Sequence, residues 1–142
     1  MIYYAALDTN VLVSAMLKSD SIPGKIVELA LNGNITPIFS TAILEEYREV
    51  LNRPKFHLGT EITDTLLQAI IERGINITVP KSDILHGFPD PDDIIFYEIV
   101  MEKRKDRDAY LVTGNLRHFP VKPFIVTPKE MLDLIHKCPS DR

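Results

Sequence analysis

Short apolar runs alternate with stripes of apolar residues at helical spacing along the whole chain. Apolar runs of this length predict buried strands, and apolar residues repeating every three or four positions predict amphipathic helices. The predicted strands are residues 2–7, 35–39, 76–79, 109–112 and 124–126, and the predicted helices are residues 10–17, 23–31, 42–51, 60–72, 92–103 and 128–136. This alternation predicts right-handed crossovers and a mainly parallel central sheet flanked by helices, which is an α/β three-layer sandwich.

Polar and glycine residues mark the ends of several predicted helices. Ser40 or Thr41 suits the N-cap of the helix at 42–51, and Gly74 suits the C-cap of the helix at 60–72. Residues 80–91 read as a loop within a domain, because no repeat or interdomain linker interrupts the pattern. We therefore expect a single domain over residues 1–142, with a short flexible tail from about residue 137.

Composition narrows the class of protein. The 142 residues are 45% hydrophobic and 25% charged, which is typical of a globular domain with one apolar core. The single cysteine excludes a disulfide framework, and no apolar run is long enough to span a membrane. The N-terminal residues read as a strand rather than a signal peptide, so we expect a cytoplasmic protein. The net charge of −4 does not exclude a nucleic-acid substrate, because local charge matters more than the total.

Acidic and polar residues recur where the predicted strands end and the following helices begin. They are Asp8 after the first strand, Glu45 and Glu46 in the helix after the second strand, Asp90, Asp92 and Asp93 near residue 92, and Thr113-Gly114-Asn115 after the fourth strand. In a parallel sheet these positions share one edge, where ligands usually bind. Crowded carboxylates repel, and a divalent cation with oxygen ligands relieves that repulsion.

Helical periodicity separates the neighbouring acids. An apolar stripe on the helix at 42–51 comprises Ile43, Tyr47, Val50 and Leu51. Glu46 flanks this stripe, whereas Glu45 points away from it. On the helix at 92–103, Asp93 points inward and Asp92 falls to the side. The pattern therefore favours Asp8, Glu46 and Asp93 as the acids of a site.

Each of these residues also has a simpler explanation when taken alone. An aspartate that closes a strand often forms a turn or caps a helix, and Asp92 and Asp93 could simply interact favourably with a helix dipole. Glu46 alone would be a surface glutamate, and Thr113-Gly114-Asn115 alone would be a turn. Their convergence on one predicted sheet edge is what favours a functional site.

Four sequence blocks resemble the PIN-domain nucleases. These blocks are LDTNVLVSA at 7–15, LEEY at 44–47 with VLNRPKF at 50–56, DPDD at 90–93, and LVTGN at 111–115 followed by His118 and Phe119. Together they cover nearly the whole chain in the family's order. The chain looks most similar to the bacterial and archaeal branch related to the VapC toxins of toxin–antitoxin pairs.

The resemblance implies a PIN-like fold and an endoribonuclease that cleaves single-stranded RNA with Mg²⁺ or Mn²⁺. Matched by position, the metal-binding acids are Asp8, Glu46 and Asp93, with Asp8 as the central ligand. Asn115 occupies the fourth position, where many members have Asp, so it brings an oxygen ligand without a charge. The implied partners are single-stranded RNA, an antitoxin protein and a second copy of the chain. No association with a membrane is implied.

Further residues receive supporting roles from the same comparison. Thr113 acts with Asn115 to orient a water molecule, and Asn10 supplies a hydrogen bond to the metal ligands. Arg117, His118 and Lys122 follow the same strand edge, where they either contact RNA phosphates or form a solvated loop.

Two alternatives remain open. One is a PIN-fold binding module with weak catalysis, which the amide at Asn115 would favour. The other is an aspartyl-phosphate or receiver-like α/β protein. A phosphatase of that kind needs a second acid where Asn10 stands, and a receiver needs a lysine that Lys122 is poorly placed to supply.

Overall fold

The computed structural model describes residues 2–80 and 91–137. The described strands are β1 (Tyr3–Leu7), β2 (Ile35–Phe39), β3 (Ile75–Asn76), β4 (Ala109–Val112) and β5 (Ile125–Val126), and the described helices are α1 (Thr9–Leu17), α2 (Ile22–Asn32), α3 (Thr41–Leu51), α4 (Thr60–Arg73), α5 (Ile94–Lys103) and α6 (Pro128–Lys137). Most of the predicted 80–91 loop, with Asp90, and the predicted tail beyond 137 lie outside the described residues.

The five described strands form one sheet in the order β3-β2-β1-β4-β5. Every pair of neighbouring strands is parallel, so the sheet is wholly rather than mainly parallel. β1 lies at the centre, where Leu7 is in register with Val112 of β4. The predicted α/β class, with helices flanking a parallel sheet, is confirmed.

The core surrounds the central strands. Ala5, Ala6 and Leu7 of β1 are almost fully buried, as are Leu111 and Val112 of β4. Burial on both faces explains why these strands read as continuous apolar runs rather than alternating ones. α5 packs against β1 and β4, while α2 packs against β2 and contacts α1, α4 and α6. None of the described helices combines the length and apolar character that crossing a membrane requires.

Two predicted helix caps are present. The Ser40 hydroxyl accepts a hydrogen bond from the Ile43 backbone N–H at 3.2 Å, so Ser40 rather than Thr41 caps α3. Gly74 caps the end of α4, but its backbone is extended rather than left-handed. A Cβ at Gly74 would lie 2.4 Å from the Pro37 carbonyl oxygen. Glycine is needed there because α4 approaches the backbone of β2 closely.

Most predicted boundaries lie within one residue of the described elements, and two are wrong by two residues or more. β3 covers Ile75–Asn76 rather than 76–79, although the Ile77 N–H still donates to the Phe39 carbonyl oxygen at 2.8 Å. Its neighbour β2 ends at Phe39 because the next residue, Ser40, caps α3. No residue of β2 is therefore left to pair with residues 78–79. The helix predicted to start at residue 92 begins instead at Ile94, after a single 3-10 turn. Such turns often precede α-helices, and apolar periodicity does not distinguish them.

Candidate active site at the carboxyl edge of the sheet

Asp8 lies directly beyond β1, at the centre of the sheet edge. Asp8 is only 5% exposed, and its backbone N–H donates to the Val112 carbonyl oxygen at 2.9 Å. Asp8 occupies the N-cap position of α1, but its side chain makes no capping hydrogen bond. Its Oδ2 instead accepts a hydrogen bond from the Thr113 hydroxyl at 2.7 Å. The side chain therefore faces the end of β4, and the backbone N–H groups of Thr9 and Asn10 at the start of α1 also favour its ionised form.

Thr113 links the end of β4 to this carboxylate. The residue is fully buried, and its backbone N–H donates to the Val126 carbonyl oxygen at 2.9 Å. Besides donating to Asp8, its hydroxyl oxygen accepts a hydrogen bond from the Asn115 backbone N–H at 3.0 Å. The predicted Thr113-Gly114-Asn115 signal is thus a turn, and this turn also holds the first acid of the site.

Tyr47 connects α3 to the end of β1. Its buried hydroxyl donates to the Leu7 carbonyl oxygen at 2.6 Å, immediately before Asp8. The predicted apolar stripe is confirmed, because the buried residues of α3 are Ile43, Tyr47, Val50 and Leu51. Glu46 precedes Tyr47 and is half-buried, whereas Glu45 is exposed. α3 therefore brings Glu46 toward the Asp8 edge and leaves Glu45 in solvent.

Asp93 is the second buried carboxylate at this edge. The residue is 8% exposed and directly precedes α5. Its Oδ2 lies 3.0 Å from Nδ1 of His118, which belongs to the short 3-10 helix Leu116–His118 after β4. Burial is the largest effect on the pKa of Asp8 and raises it, and a positive charge on His118 would lower that pKa slightly. One histidine therefore interacts with both buried acids.

Charge repulsion and burial act on two of the predicted acids. Burial raises the pKa of the Asp8 carboxyl, against the opposing effect of the hydrogen bond from Thr113. Burial also raises the pKa of Glu46, the charges of Asp92 and Glu49 raise it further, and the charge of Asp8 adds a smaller effect in the same direction. Arg53 lowers the pKa of Glu46, but its guanidinium is already hydrogen-bonded to Glu49 at 2.8 and 3.1 Å. The edge thus carries crowded negative charge.

Asp92 is the acid that sequence reasoning passed over. It is exposed, as the helical wheel predicts, yet its charge acts strongly enough on Glu46 to raise that pKa. The helical wheel gave the exposure of Asp92 and the burial of Asp93 correctly, although both residues lie in a 3-10 turn rather than in α5. The two adjacent acids at the end of the DPDD block, Asp92 and Asp93, were the sequence signal that both could act at this edge.

The remaining predicted site residues lie around this centre. Asn10 is exposed, and its backbone N–H lowers the pKa of Asp8, whereas its side chain makes no hydrogen bond to the described residues. Asn115 is half-buried, and its carbonyl oxygen accepts the His118 backbone N–H at 3.0 Å. Arg117 and Lys122 are exposed.

The donor chemistry of this edge fits a divalent cation. Within residues 2–80 and 91–137, no three acidic, histidine or cysteine side chains are already arranged to hold one ion together. Mg²⁺, however, is usually bound through only one or two carboxylates and keeps several water molecules. Asp8, Glu46 and Asp93 offer the hard oxygen ligands that such ions prefer, and a cation would relieve the charge that raises the pKa of Glu46.

Comparison with known proteins agrees with this geometry. The sequence model of the PIN domain matches residues 4–117, which include all four polar segments of the edge. The chain is also similar to an uncharacterized protein of Methanocaldococcus jannaschii, at 26% identity over 92% of this chain and 90% of that protein. PIN domains are in general nucleases that bind nucleic acid and depend on divalent metal ions. Because the family model spans most of the sequence, this chain belongs to the PIN domain family.

Proposed function

We propose that the protein is an endoribonuclease that uses Mg²⁺ or Mn²⁺ to cleave single-stranded RNA, and that it is the toxin of a toxin–antitoxin pair. One observation carries the proposal: Asp8 and Glu46 come from distant parts of the chain, burial raises the pKa of both, and the charge of Asp8 acts on Glu46. Such crowding is unfavourable in the metal-free domain, and a bound cation would offset it.

In this proposal Asp8, Glu46 and Asp93 hold the cation, and Asn115 contributes a neutral oxygen. A divalent cation, when bound, lowers the pKa of a water molecule and polarises the phosphate that is cleaved. Thr113 keeps the Asp8 carboxylate oriented through its 2.7 Å hydrogen bond. Tyr47 fixes α3 against β1 and so sets where Glu46 approaches Asp8. Asn10 acts on Asp8 through its backbone N–H.

Substrate binding is proposed for the segment after β4. Arg117, His118 and Lys122 carry the basic side chains of this segment, and His118 contacts Asp93, one of the acids that would hold the cation. Positively charged side chains at this position would attract the phosphates on either side of the cleaved bond. Charge on the phosphate backbone provides most of the affinity of proteins for nucleic acids. An antitoxin partner, a homodimer, a cytoplasmic location and a single domain over 1–142 are further parts of the proposal.

The alternative of a PIN-fold binding module with weak catalysis remains. It is favoured by the amide at Asn115 and by the lack of a ready three-residue ligand group among the described residues. Membership of the PIN family removes the receiver-like alternative.

Cleavage assays with matched nucleic acids test the proposal. Single-stranded RNA, the same sequence as duplex RNA and the same sequence as single-stranded DNA are incubated with Mn²⁺ or Mg²⁺, and each reaction is repeated with EDTA. We expect cleavage of the single-stranded RNA alone, and only with free cation. Feeble Mn²⁺ binding by calorimetry together with no cleavage would favour the binding module. Cleavage that survives EDTA would reject the metal-dependent mechanism.

The amide at Asn115 gives a second prediction. Asn115→Asp restores a unit of negative charge, so the protein should need several-fold less Mg²⁺ or Mn²⁺ for half-maximal cleavage. Attraction between opposite charges a few Å apart is on the order of 1 kcal/mol even in a wet site, which corresponds to about a fivefold change. The measurement is a metal titration of the cleavage rate.

Asn34→Asp is the matched control for this charge. Asn34 is exposed and immediately precedes β2, so it lies at the opposite end of the sheet from Asn115. The same change in net charge at this position should leave the metal requirement where it was. If Asn115→Asp also leaves the requirement unchanged while folding normally, Asn115 is only a turn residue.

A further inference from the structure

The short 3-10 helix after β4 brings an imidazole to a buried carboxylate. Nδ1 of His118 lies 3.0 Å from Oδ2 of Asp93. The Asp93 side chain is 12% exposed and the His118 side chain is 41% exposed, so the acid is the buried partner. An ionised carboxylate can only accept hydrogen bonds, which assigns the proton of this contact to Nδ1.

The segment from Thr113 to His118 holds one carboxylate at each end. Thr113 donates to Asp8 at 2.7 Å, and His118 contacts Asp93 at 3.0 Å. The segment itself is fixed by backbone hydrogen bonds, from Thr113 to Val126 at 2.9 Å and from His118 to Asn115 at 3.0 Å. Two acids that are far apart in sequence are therefore set relative to each other by one short segment.

We infer that His118 is a positioning residue, which fixes the orientation of the Asp93 carboxylate for cation binding. This inference rests on the proposed function, because it takes Asp93 as a cation ligand. A hydrogen bond to one carboxylate oxygen restricts rotation of the group and so determines how its oxygens meet an ion. Removing the hydrogen-bond partner of a metal ligand commonly weakens metal binding by about 10- to 100-fold.

A simple ion pair would have a different signature. Partly exposed pairs contribute little to stability, and losing the positive charge of such a pair would leave the affinity for a cation unchanged or raise it. A positioning residue instead changes the dissociation constant of the ion, and a substitute that restores the hydrogen bond recovers the affinity. The amide nitrogen of asparagine falls near the position of Nδ1, whereas that of glutamine reaches past it.

The test is a calorimetric titration of Mn²⁺ into the full chain. We expect His118→Leu to raise the Mn²⁺ dissociation constant about tenfold or more and His118→Asn to stay within about threefold of the wild type. His136→Leu is the matched control, since His136 is an exposed histidine on α6 and should bind Mn²⁺ as the wild type does. Circular dichroism checks folding, and if His118→Leu does not fold, His118→Gln replaces it with the same expected weakening.

A double-mutant cycle separates the role of His118 from a general effect. With Asp93→Ala already present, His118→Leu should weaken Mn²⁺ binding no further, because the carboxylate that it acts through has been removed. Unchanged or tighter Mn²⁺ binding in both His118→Leu and His118→Gln would overturn the positioning role and leave the proposed function standing. A wild-type protein that binds no Mn²⁺ would overturn both.

Discussion

Asp8→Asn is expected to abolish RNA cleavage and, in metal-free protein, to raise the midpoint of thermal unfolding. Cleavage should be lost because the central carboxylate is replaced by a neutral amide that attracts a cation far less. Stability should rise because burial raises the pKa of Asp8, so its charge is unfavourable in the folded protein. Asparagine can still accept the Thr113 hydrogen bond through its own oxygen. In a domain of this size, a gain of about 1 kcal/mol in stability raises the unfolding midpoint by about 2–5 °C.

The gain in stability should depend on pH with a defined sign. A carboxyl whose folded pKa lies above its unfolded pKa favours folding at low pH, and that contribution is lost as pH rises through the folded pKa. The difference in unfolding temperature between Asp8→Asn and wild type should therefore be small in acid and full near neutral pH. Scanning calorimetry in EDTA across this range measures it.

Asp20→Asn is the control for Asp8→Asn. Asp20 is exposed in the turn after α1, at the other end of that helix from Asp8. Asp20→Asn makes the same chemical change as Asp8→Asn but at an exposed side chain. The cleavage rate and the unfolding temperature should therefore both remain near the wild-type values. Cleavage by Asp8→Asn at the wild-type rate would remove Asp8 from the active site.

The sequence predicted most of the fold because its central strands are buried on both faces. β2 and β4 were predicted to the residue, since their apolar runs end at Ser40 and Thr113, which turn the chain. β3 could not be predicted as well, because its length depends on where its neighbour β2 stops. Strand pairing is a tertiary property that local periodicity does not contain.

The candidate site was predictable only as a set of residue types at one edge. The positions of Asp8 and Glu46 follow from strand ends and a helical wheel, which need only local geometry. The contact of His118 with Asp93 could not be predicted, because it joins two short 3-10 segments whose orientation no periodicity specifies. The charge of Asp92 beside Glu46 was missed for the same reason.

Glu46→Gln and Glu45→Gln form a matched pair that tests the register of α3. Both remove one negative charge from adjacent residues on the same helix, so long-range attraction for RNA changes equally. Glu46 is half-buried beside Tyr47 and interacts with the charges of Asp8 and Asp92, whereas Glu45 is exposed. We therefore expect very different effects on kcat/KM for RNA cleavage under saturating cation.

Glu46→Gln should lower kcat/KM by at least about a hundredfold, which is the upper end of what losing an outer partner of a metal costs. Glu45→Gln should change it by no more than about twofold, as expected of a surface substitution. In metal-free protein Glu46→Gln should also raise the unfolding temperature, because it removes a charge that is unfavourable through burial and through repulsion from Asp92 and other nearby acids. Glu45→Gln relieves no such repulsion and should leave that temperature unchanged. A larger loss in Glu45→Gln would mean that α3 presents the other glutamate to the cation. Equal losses would mean that α3 does not single out Glu46 and that Tyr47 does not set the register of the site.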